Sequence, residues 1–241
     1  MSIEKLKKLI GDSDNIVFFG GAGVSTESNI PDFRSENGLY KSIKNIKYAP
    51  ETMLSHSFFM SHTEEFYDFY RNKMIYKEAV PNAAHMTLAR LESLGKVRAV
   101  ITQNIDGLHQ MAGSKKVLEL HGSVNRNYCM DCGKSFGLDY VVNSKTMVPL
   151  CDSCGGILKP DVVLYEEPLD MDVVNMAVNY ISEADVMIVG GTSLVVYPAA
   201  NLVNYYRGNK LILINKSSTQ YDRRANLVIS DSIGKVLKEI L

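Results

Sequence analysis

Apolar residues fall along this chain in two rhythms. Short continuous runs, Ile16–Phe19, Val97–Thr102, Val117–Leu120, Val162–Tyr165, Val186–Val189, Leu211–Ile214 and Leu227–Ile229, read as strands. Unbroken apolar character of this kind belongs to a sheet covered on both faces. Between the runs the spacing becomes helical. Ala84, Leu88 and Leu91 share one face of Pro81–Leu94, and Gly95 offers a C-terminal cap. Ile3, Leu6, Leu9 and Ile10 recur among lysines as on a surface helix, and residues 169–183, 198–207 and 232–241 are also helical in pattern. Strand–helix alternation predicts an α/β fold with a doubly wound, Rossmann-like parallel sheet.

Two stretches interrupt the alternation. Residues 31–76 hold no good strand but carry aromatic helical segments at Phe58–Phe59 and Phe66–Tyr70. Residues 124–159 are polar and contain all four cysteines of the chain, Cys129, Cys132, Cys151 and Cys154. These form two Cys-x-x-Cys pairs with eighteen residues between them. Two such knuckles present four thiolates to one point, the donor set of a closed structural zinc site. Two disulfides are the alternative in an oxidising compartment, and a redox pair is another; the spacing and the lack of a left-over cysteine favour metal. The predicted organisation is a sheet domain over 1–30, 77–123 and 160–241. A helical module (31–76) and a zinc module (124–159) form a smaller inserted domain.

Composition narrows the classes of function. With 241 residues, 46% hydrophobic and 22% charged, the chain can bury an ordinary core. A net charge of −1 gives no electrostatic case for nucleic acid or an anionic membrane. No run approaches the ~18 apolar residues of a membrane span, and Ile16–Phe19 is too short for a signal peptide. With reduced cysteines, the expected location is cytoplasmic.

Chemistry-bearing motifs sit where strands end. Gly20-Gly21-Ala22-Gly23-Val24-Ser25-Thr26 follows the first strand; Thr26 stands where the dinucleotide fingerprint has a third glycine. Ile30-Pro31-Asp32-Phe33-Arg34, Thr102-Gln103-Asn104-Ile105-Asp106-Gly107-Leu108-His109, Glu119-Leu120-His121-Gly122 and Gly191-Thr192-Ser193 follow in order. Together with the cysteine pairs, these motifs resemble those of the sirtuins, zinc-containing NAD-dependent protein lysine deacylases. The resemblance runs from about residue 10 to the C-terminus.

That resemblance implies a site. Gly21, Ala22, Gly23, Ser25 and Thr26 hold the NAD pyrophosphate, Asp32, Phe33 and Arg34 lie beside the nicotinamide and phosphates, and Gln103 and Asn104 meet the ribose. Ile105 and Asp106 bind the carboxamide, Gly191, Thr192 and Ser193 the adenosine side, Asn215 the adenine ribose and Ile233 the adenine. His121 is implied as the catalytic base and a cofactor contact, while His109 is read as a structural hydrogen bonder. An acetyl-lysine protein or peptide lies as an extended strand between 162–166 and 194–197, against Val162, Val163, Tyr165, Val195 and Tyr197. The implied reaction passes the acetyl group to ADP-ribose, with nicotinamide released and O-acetyl-ADP-ribose formed. Longer apolar acyl groups, or mono-ADP-ribosyl transfer as a side activity, are the alternatives.

Three departures matter. Asn29 replaces a common glycine, and Tyr165-Glu166-Glu167 stands for Phe-Gly-Glu, a change expected to alter the peptide edge. Tyr67-Asp68-Phe69-Tyr70 stands for the Tyr-x-x-Arg of succinyl-preferring relatives, near the mouth of the acyl pocket. Outside the resemblance, a dehydrogenase or a zinc-ribbon binding module are the competing classes; the first would make NADH.

Overall fold

The computed structural model describes residues 2–33, 35, 38–42 and 48–240. Its strands are β1 (Ile16–Gly20), β2 (Val97–Thr102), β3 (Val117–Glu119), β4 (Gly122–Cys129), β5 (Ser135–Gly137), β6 (Leu158–Val162), β7 (Val186–Gly190), β8 (Leu211–Ile214) and β9 (Leu227–Ile229). The α-helices begin with α1 (Ser2–Gly11), α2 (Leu39–Ser42), α3 (Pro50–Met53), α4 (His56–Ser61) and α5 (Thr63–Lys73). They continue with α6 (Ala83–Ser93), α7 (Leu108–Met111), α8 (Leu138–Val142), α9 (Met171–Glu183) and α10 (Ile233–Lys238).

Six strands form one sheet in the order β3-β2-β1-β7-β8-β9, every neighbouring pair parallel. Alternation within β1 divides the core. Ile16 and Phe18 join Leu6, Leu88, Ile188 and Leu237 on one face, while Val17 and Phe19 join Ile181, Val189, Val203 and Leu213 on the other. All five residues of β1 are buried, which is why its run carries no polar alternation. The strand order reverses across the β1–β7 pair, so the loops leaving these strands diverge and open a crevice there.

Local signals explain the helix ends. Asn82 caps α6 by accepting from the Ala84 amide at 2.9 Å, and Gly95 closes it with φ +75°. Residues 198–207 are helical as expected, as a 3-10 helix over Ala199–Tyr205. One expectation is corrected. The run Val162–Tyr165 is not a strand of the main sheet. Leu158–Val162 is the strand instead, in a separate antiparallel sheet of order β5-β4-β6. Lys159-Pro160-Asp161 masks that strand in sequence, because proline and charge read as a turn.

A third apolar cluster joins the two interrupting stretches. Phe58, Phe59, Phe66, Tyr67 and Tyr70 from α4 and α5 pack with Val124, Cys129, Val141, Leu158 and Leu164. Neither stretch supplies this core by itself.

Candidate active site and cysteine centre

The loops after β1, β2, β7 and β8 are tied to one another at the carboxyl end of the sheet. Gly23 donates its amide to the Gly191 carbonyl at 2.7 Å. A Cβ on Gly23 would stand 2.8 Å from the Gly191 Cα, and one on Gly21 would stand 2.8 Å from the Thr192 Cβ. These glycines are required by the contact between two loops, not only by a ligand's approach.

Polar side chains form two chains across the crevice. Asn104 Nδ2 donates to Ser25 Oγ at 3.0 Å, and Ser25 donates to Asp106 Oδ2 at 2.6 Å. The other carboxylate oxygen of Asp106 caps α7 at the Leu108 amide. Burial pushes the Asp106 pKa above the usual carboxylate value, against the two hydrogen bonds. On the far side Gln103 Nε2 donates to Thr192 Oγ1 at 3.1 Å, and the Thr192 amide donates to Asn215 Oδ1 at 2.9 Å. The Asn215 Nδ2 is buried without a hydrogen-bond partner. A buried unpaired donor at the end of a central strand suits the hydroxyl of a ribose. Ile233 packs against Gly190 at the sheet end, and Thr26 Oγ1 is turned to the Gly23 carbonyl at 2.9 Å.

His121 stands between this crevice and the small sheet. Its Nδ1 lies 2.9 Å from the Gln103 carbonyl, which can only accept, so Nδ1 carries the proton and Nε2 keeps its lone pair. Burial lowers its pKa, which the Gln103 contact opposes, and the ring is neutral at pH 7. The His121 carbonyl accepts from the Val163 amide at 3.0 Å, while Gly122, at φ +72°, lies too close to the Asp161 carbonyl to admit a side chain. The histidine and the edge 162–166 are therefore one backbone unit.

Other expected residues distribute as follows. Asp32 Oδ1 accepts from the Ser35 amide, and Phe33 meets Tyr40 edge-on at 5.7 Å between centroids. Arg34 lies outside the described residues. Ile105 is tied to β4 through the Val124 amide at 3.0 Å. Val195 and Tyr197 are exposed, Tyr165 is at the margin of exposure, and Val162 is buried in the third core cluster. Tyr67 and Tyr70 line no mouth: both have no exposed surface. Ser193 is exposed, beside Thr192. His109 is corrected. Neither ring nitrogen has a hydrogen-bond partner; the ring instead packs 4.7 Å from His85 and 6.1 Å from Phe18.

Two contributors escaped the sequence reading. Asn82 Nδ2 donates to the Val24 carbonyl at 2.8 Å and to Ser28 Oγ at 2.9 Å, holding the glycine loop. Asn82 falls inside the Pro81–Leu94 pattern, and its support of the glycine loop depends on contacts more than fifty residues away in sequence. Tyr40 places its hydroxyl 3.2 Å from that of Tyr165, joining the loop after Phe33 to the exposed edge.

Loss of the glycine at Glu166 is compensated. Glu166 adopts φ +75°, and its carboxylate accepts from the Ser57 amide at 2.9 Å and the Ser57 hydroxyl at 3.0 Å. Behind it Lys159, buried, donates to Glu167 at 3.0 Å, and Glu167 also meets His56 at 2.8 Å.

The four cysteine sulfurs lie within 4.8 Å of one another, with Cys129–Cys154 at 3.4 Å and Cys132–Cys151 at 3.7 Å. A tetrahedron of ~2.3 Å Zn–S bonds has edges of roughly 3.8 Å, whereas a disulfide needs about 2.05 Å. Both knuckles fold alike: the Gly133 amide donates to the Cys129 carbonyl and the Gly155 amide to the Cys151 carbonyl. The donor set fits a closed zinc site that holds structure and leaves no open position for chemistry.

The sequence model of the Sir2 family matches residues 21–198. The chain belongs to the Sir2 family. Among relatives of this Sir2 chain, an NAD-dependent protein deacetylase of Clostridium tetani is 70% identical over 99% of the chain and 96% of the relative. One from Clostridium acetobutylicum is 68% identical over 99% and 98%. A solved Sir2 structure with deacetylated p53 peptide and 3′-O-acetyl-ADP-ribose superposes with a TM-score of 0.91 at 41% identity, covering 100% of this chain and 97% of that one. A Sir2–p53 peptide–NAD+ structure gives 0.86 at 40% identity, with the same coverage.

Proposed function

We propose that this Sir2 chain is an NAD-dependent protein lysine deacetylase that passes the acetyl group of acetyl-lysine to ADP-ribose. One observation carries the reading. His121 is neutral, its Nδ1 is committed to the Gln103 carbonyl, and its Nε2 is free at the seam between crevice and edge. Full-length identity to deacetylases supports it.

Bound NAD supplies the ribose carbon that nicotinamide leaves and the hydroxyls that receive the acetyl group. Gly21, Ala22, Gly23, Ser25, Thr26, Gln103, Asn104, Ile105, Asp106, Gly191, Thr192, Ser193, Asn215 and Ile233 would hold it, with Asp32, Phe33 and Arg34 over the reacting end. The unpaired Asn215 donor supports that assignment. His121 Nε2 accepts a proton from a ribose hydroxyl, and the Gln103 carbonyl stabilises the resulting imidazolium through Nδ1–H. Phe33 and Tyr40 exclude water from that end.

The peptide would lie along 162–166 and 194–197, meeting Val163, Tyr165, Val195 and Tyr197, with buried Val162 behind that edge. The amides of Val163, Leu164 and Tyr165 are already committed to His121, Glu167 and Leu54. Within 162–166 this leaves the Val163 carbonyl and the amide and carbonyl of Glu166 for peptide pairing, facing the amide and carbonyl of Val195. Recognition through main-chain groups favours wide tolerance of flanking sequence. The division into a sheet domain (1–30, 77–123, 160–241) and a small domain (31–76, 124–159) is part of this reading, with the seam as the catalytic cleft. Cytoplasmic location accords with four unbridged thiolates gathered for metal; among the described residues no helix is long and apolar enough to cross a membrane.

The test is incubation with NAD and an acetyl-lysine peptide, following nicotinamide and deacetylated peptide together. One-to-one release is expected. NADH formation, or nicotinamide without deacetylated peptide, would overturn the reading.

A further inference from the structure

The pairing of β4 with β6 is interrupted just beyond the pair next to His121. Gly122 faces Val162, yet the next paired residues are Asn127 and Pro160, so five steps along β4 oppose two along β6. Ladder hydrogen bonds therefore cannot hold Asp161 and Val162 against residues 123–126. Side chains act there instead. Arg126 Nε donates to Asp161 Oδ2 at 2.7 Å, and Arg126 Nη1 donates to Glu119 Oε2 at 2.7 Å.

The three partners come from three places. Glu119 ends β3 of the main sheet, two residues before His121, and its side chain is only 9% exposed. Arg126 lies in the bulged half of β4, and Asp161 precedes the Val162–Val163 edge. The same half of β4 is fixed to the nicotinamide-side loop by the Val124 amide on the Ile105 carbonyl and by Asn125 against Gly107. An isolated exposed ion pair contributes little. A guanidinium held by two carboxylates on separate elements has fixed geometry, and here it spans the gap in the ladder.

We propose that Arg126 is a positioning residue, which braces the Val163 amide–His121 carbonyl contact by holding Asp161 to Glu119 across the interrupted β4–β6 ladder. It touches no reacting atom. Its kinetic consequence rests on the deacetylase reading; its structural consequence does not.

The experiment therefore has two arms, on Arg126→Ala, Arg126→Lys and the double variant Arg126→Ala/Asp161→Asn in the zinc-loaded full chain. In steady-state deacetylation, Arg126→Ala is expected to raise the peptide KM about five- to tenfold, with the NAD KM and kcat within about twofold. Arg126→Lys, which offers a cation without the fork, should fall between, and the double variant should be no worse than Arg126→Ala. In hydrogen exchange, the Val163 amide should exchange about tenfold faster in Arg126→Ala, with β1 and β7 unchanged. Unchanged Val163 exchange overturns the proposal, even if KM moves, because Arg126 would then act on the peptide directly. So does an equal rise in both KM values with general loss of exchange protection, which marks plain destabilisation. If the unaltered protein shows no turnover, the deacetylase reading fails, and the exchange arm still decides the role of Arg126.

Discussion

At the scale of single residues, hydrogen-bond geometry sets what each group can do. His121→Ala removes the free Nε2 while leaving the Gln103 loop tied to Thr192, so NAD binding should persist. Deacetylation should fall by about two to four orders of magnitude, read by product formation with a calorimetric NAD titration as control. The buried pair His85 and His109 predicts a pH response in stability. Burial lowers their pKa values to about 4 and about 3, from 6.5. A base with a depressed folded pKa contributes stability that is complete above the unfolded value and is lost as pH falls. Between pH 6.5 and about 4 the unfolded chain binds up to two extra protons, a slope of up to about 2.7 kcal/mol per pH unit. Denaturant melts at pH 7 and pH 5 should show it, and His109→Phe should flatten it. Glu166 carries opposing effects. Glu166→Ala keeps the left-handed backbone and loses the Ser57 contacts, so stability should drop by about 1–2 kcal/mol. Glu166→Gly, which relieves the strain as it loses the contacts, should be near neutral. Matched thermal melts of the two variants separate strain from capping.

Elements were legible in proportion to how local their causes are. The glycine loop, the β2 end, His121 and both cysteine knuckles could be singled out as candidates because each motif is contiguous. Asn82 as a support for Val24 and Tyr40 as a partner of Tyr165 were not, because the contacting residues lie far apart in sequence and either side chain has an ordinary local reading. The strand Leu158–Val162 was displaced for a related reason: its Lys159 is buried by an ion pair with Glu167, which sequence rules expect to be exposed. The zinc knuckles and α5 share one core, so the metal bears on both. Cys129→Ser should lose zinc and lower the melting temperature of this shared core, with activity lost as a consequence; near-wild-type melting without metal would refute this. Within α5, Tyr70 is stacked on Phe66 at 5.6 Å, its hydroxyl is buried and unpaired, and burial, with Tyr67 and Asp161 adding to it, pushes its pKa upward. Of the neighbouring cations, Lys159 is paired with Glu167, whereas Arg71 donates Nη2 to the Thr146 carbonyl and keeps a buried Nε without a partner. Tyr67 and Tyr70 are sealed from the surface, so a succinyl carboxylate finds no opening between them, and one forced in would lose its hydration at a cost of several kcal/mol unless Arg71 turned to it. Deacetylation should exceed desuccinylation by at least about tenfold in kcat/KM on one peptide at saturating NAD. Parity would mean that the acyl chain lies elsewhere.

For the whole molecule, the class of fold was readable from continuous apolar runs, since a doubly covered parallel sheet leaves no polar face. The junction of its two sheets was readable as the boundary after residue 123, but the strand β4 that crosses it was not, because Gly122–Cys129 is too polar to stand out as an apolar run. The central pair of the main sheet joins Ile16 to Val186, 170 positions further along the chain. During synthesis, β1, β2 and β3 can assemble early, but the buried strand β1 then offers a bare, apolar edge until β7 emerges. Everything between, including the metal-binding insert, must leave the ribosome first. Such an edge is a template for pairing with other chains, and long-range closure is slow. A nascent chain arrested before Val186 is thus an aggregation hazard, and overproduction should gain more from slower translation or holdase chaperones than from any substitution on the finished surface.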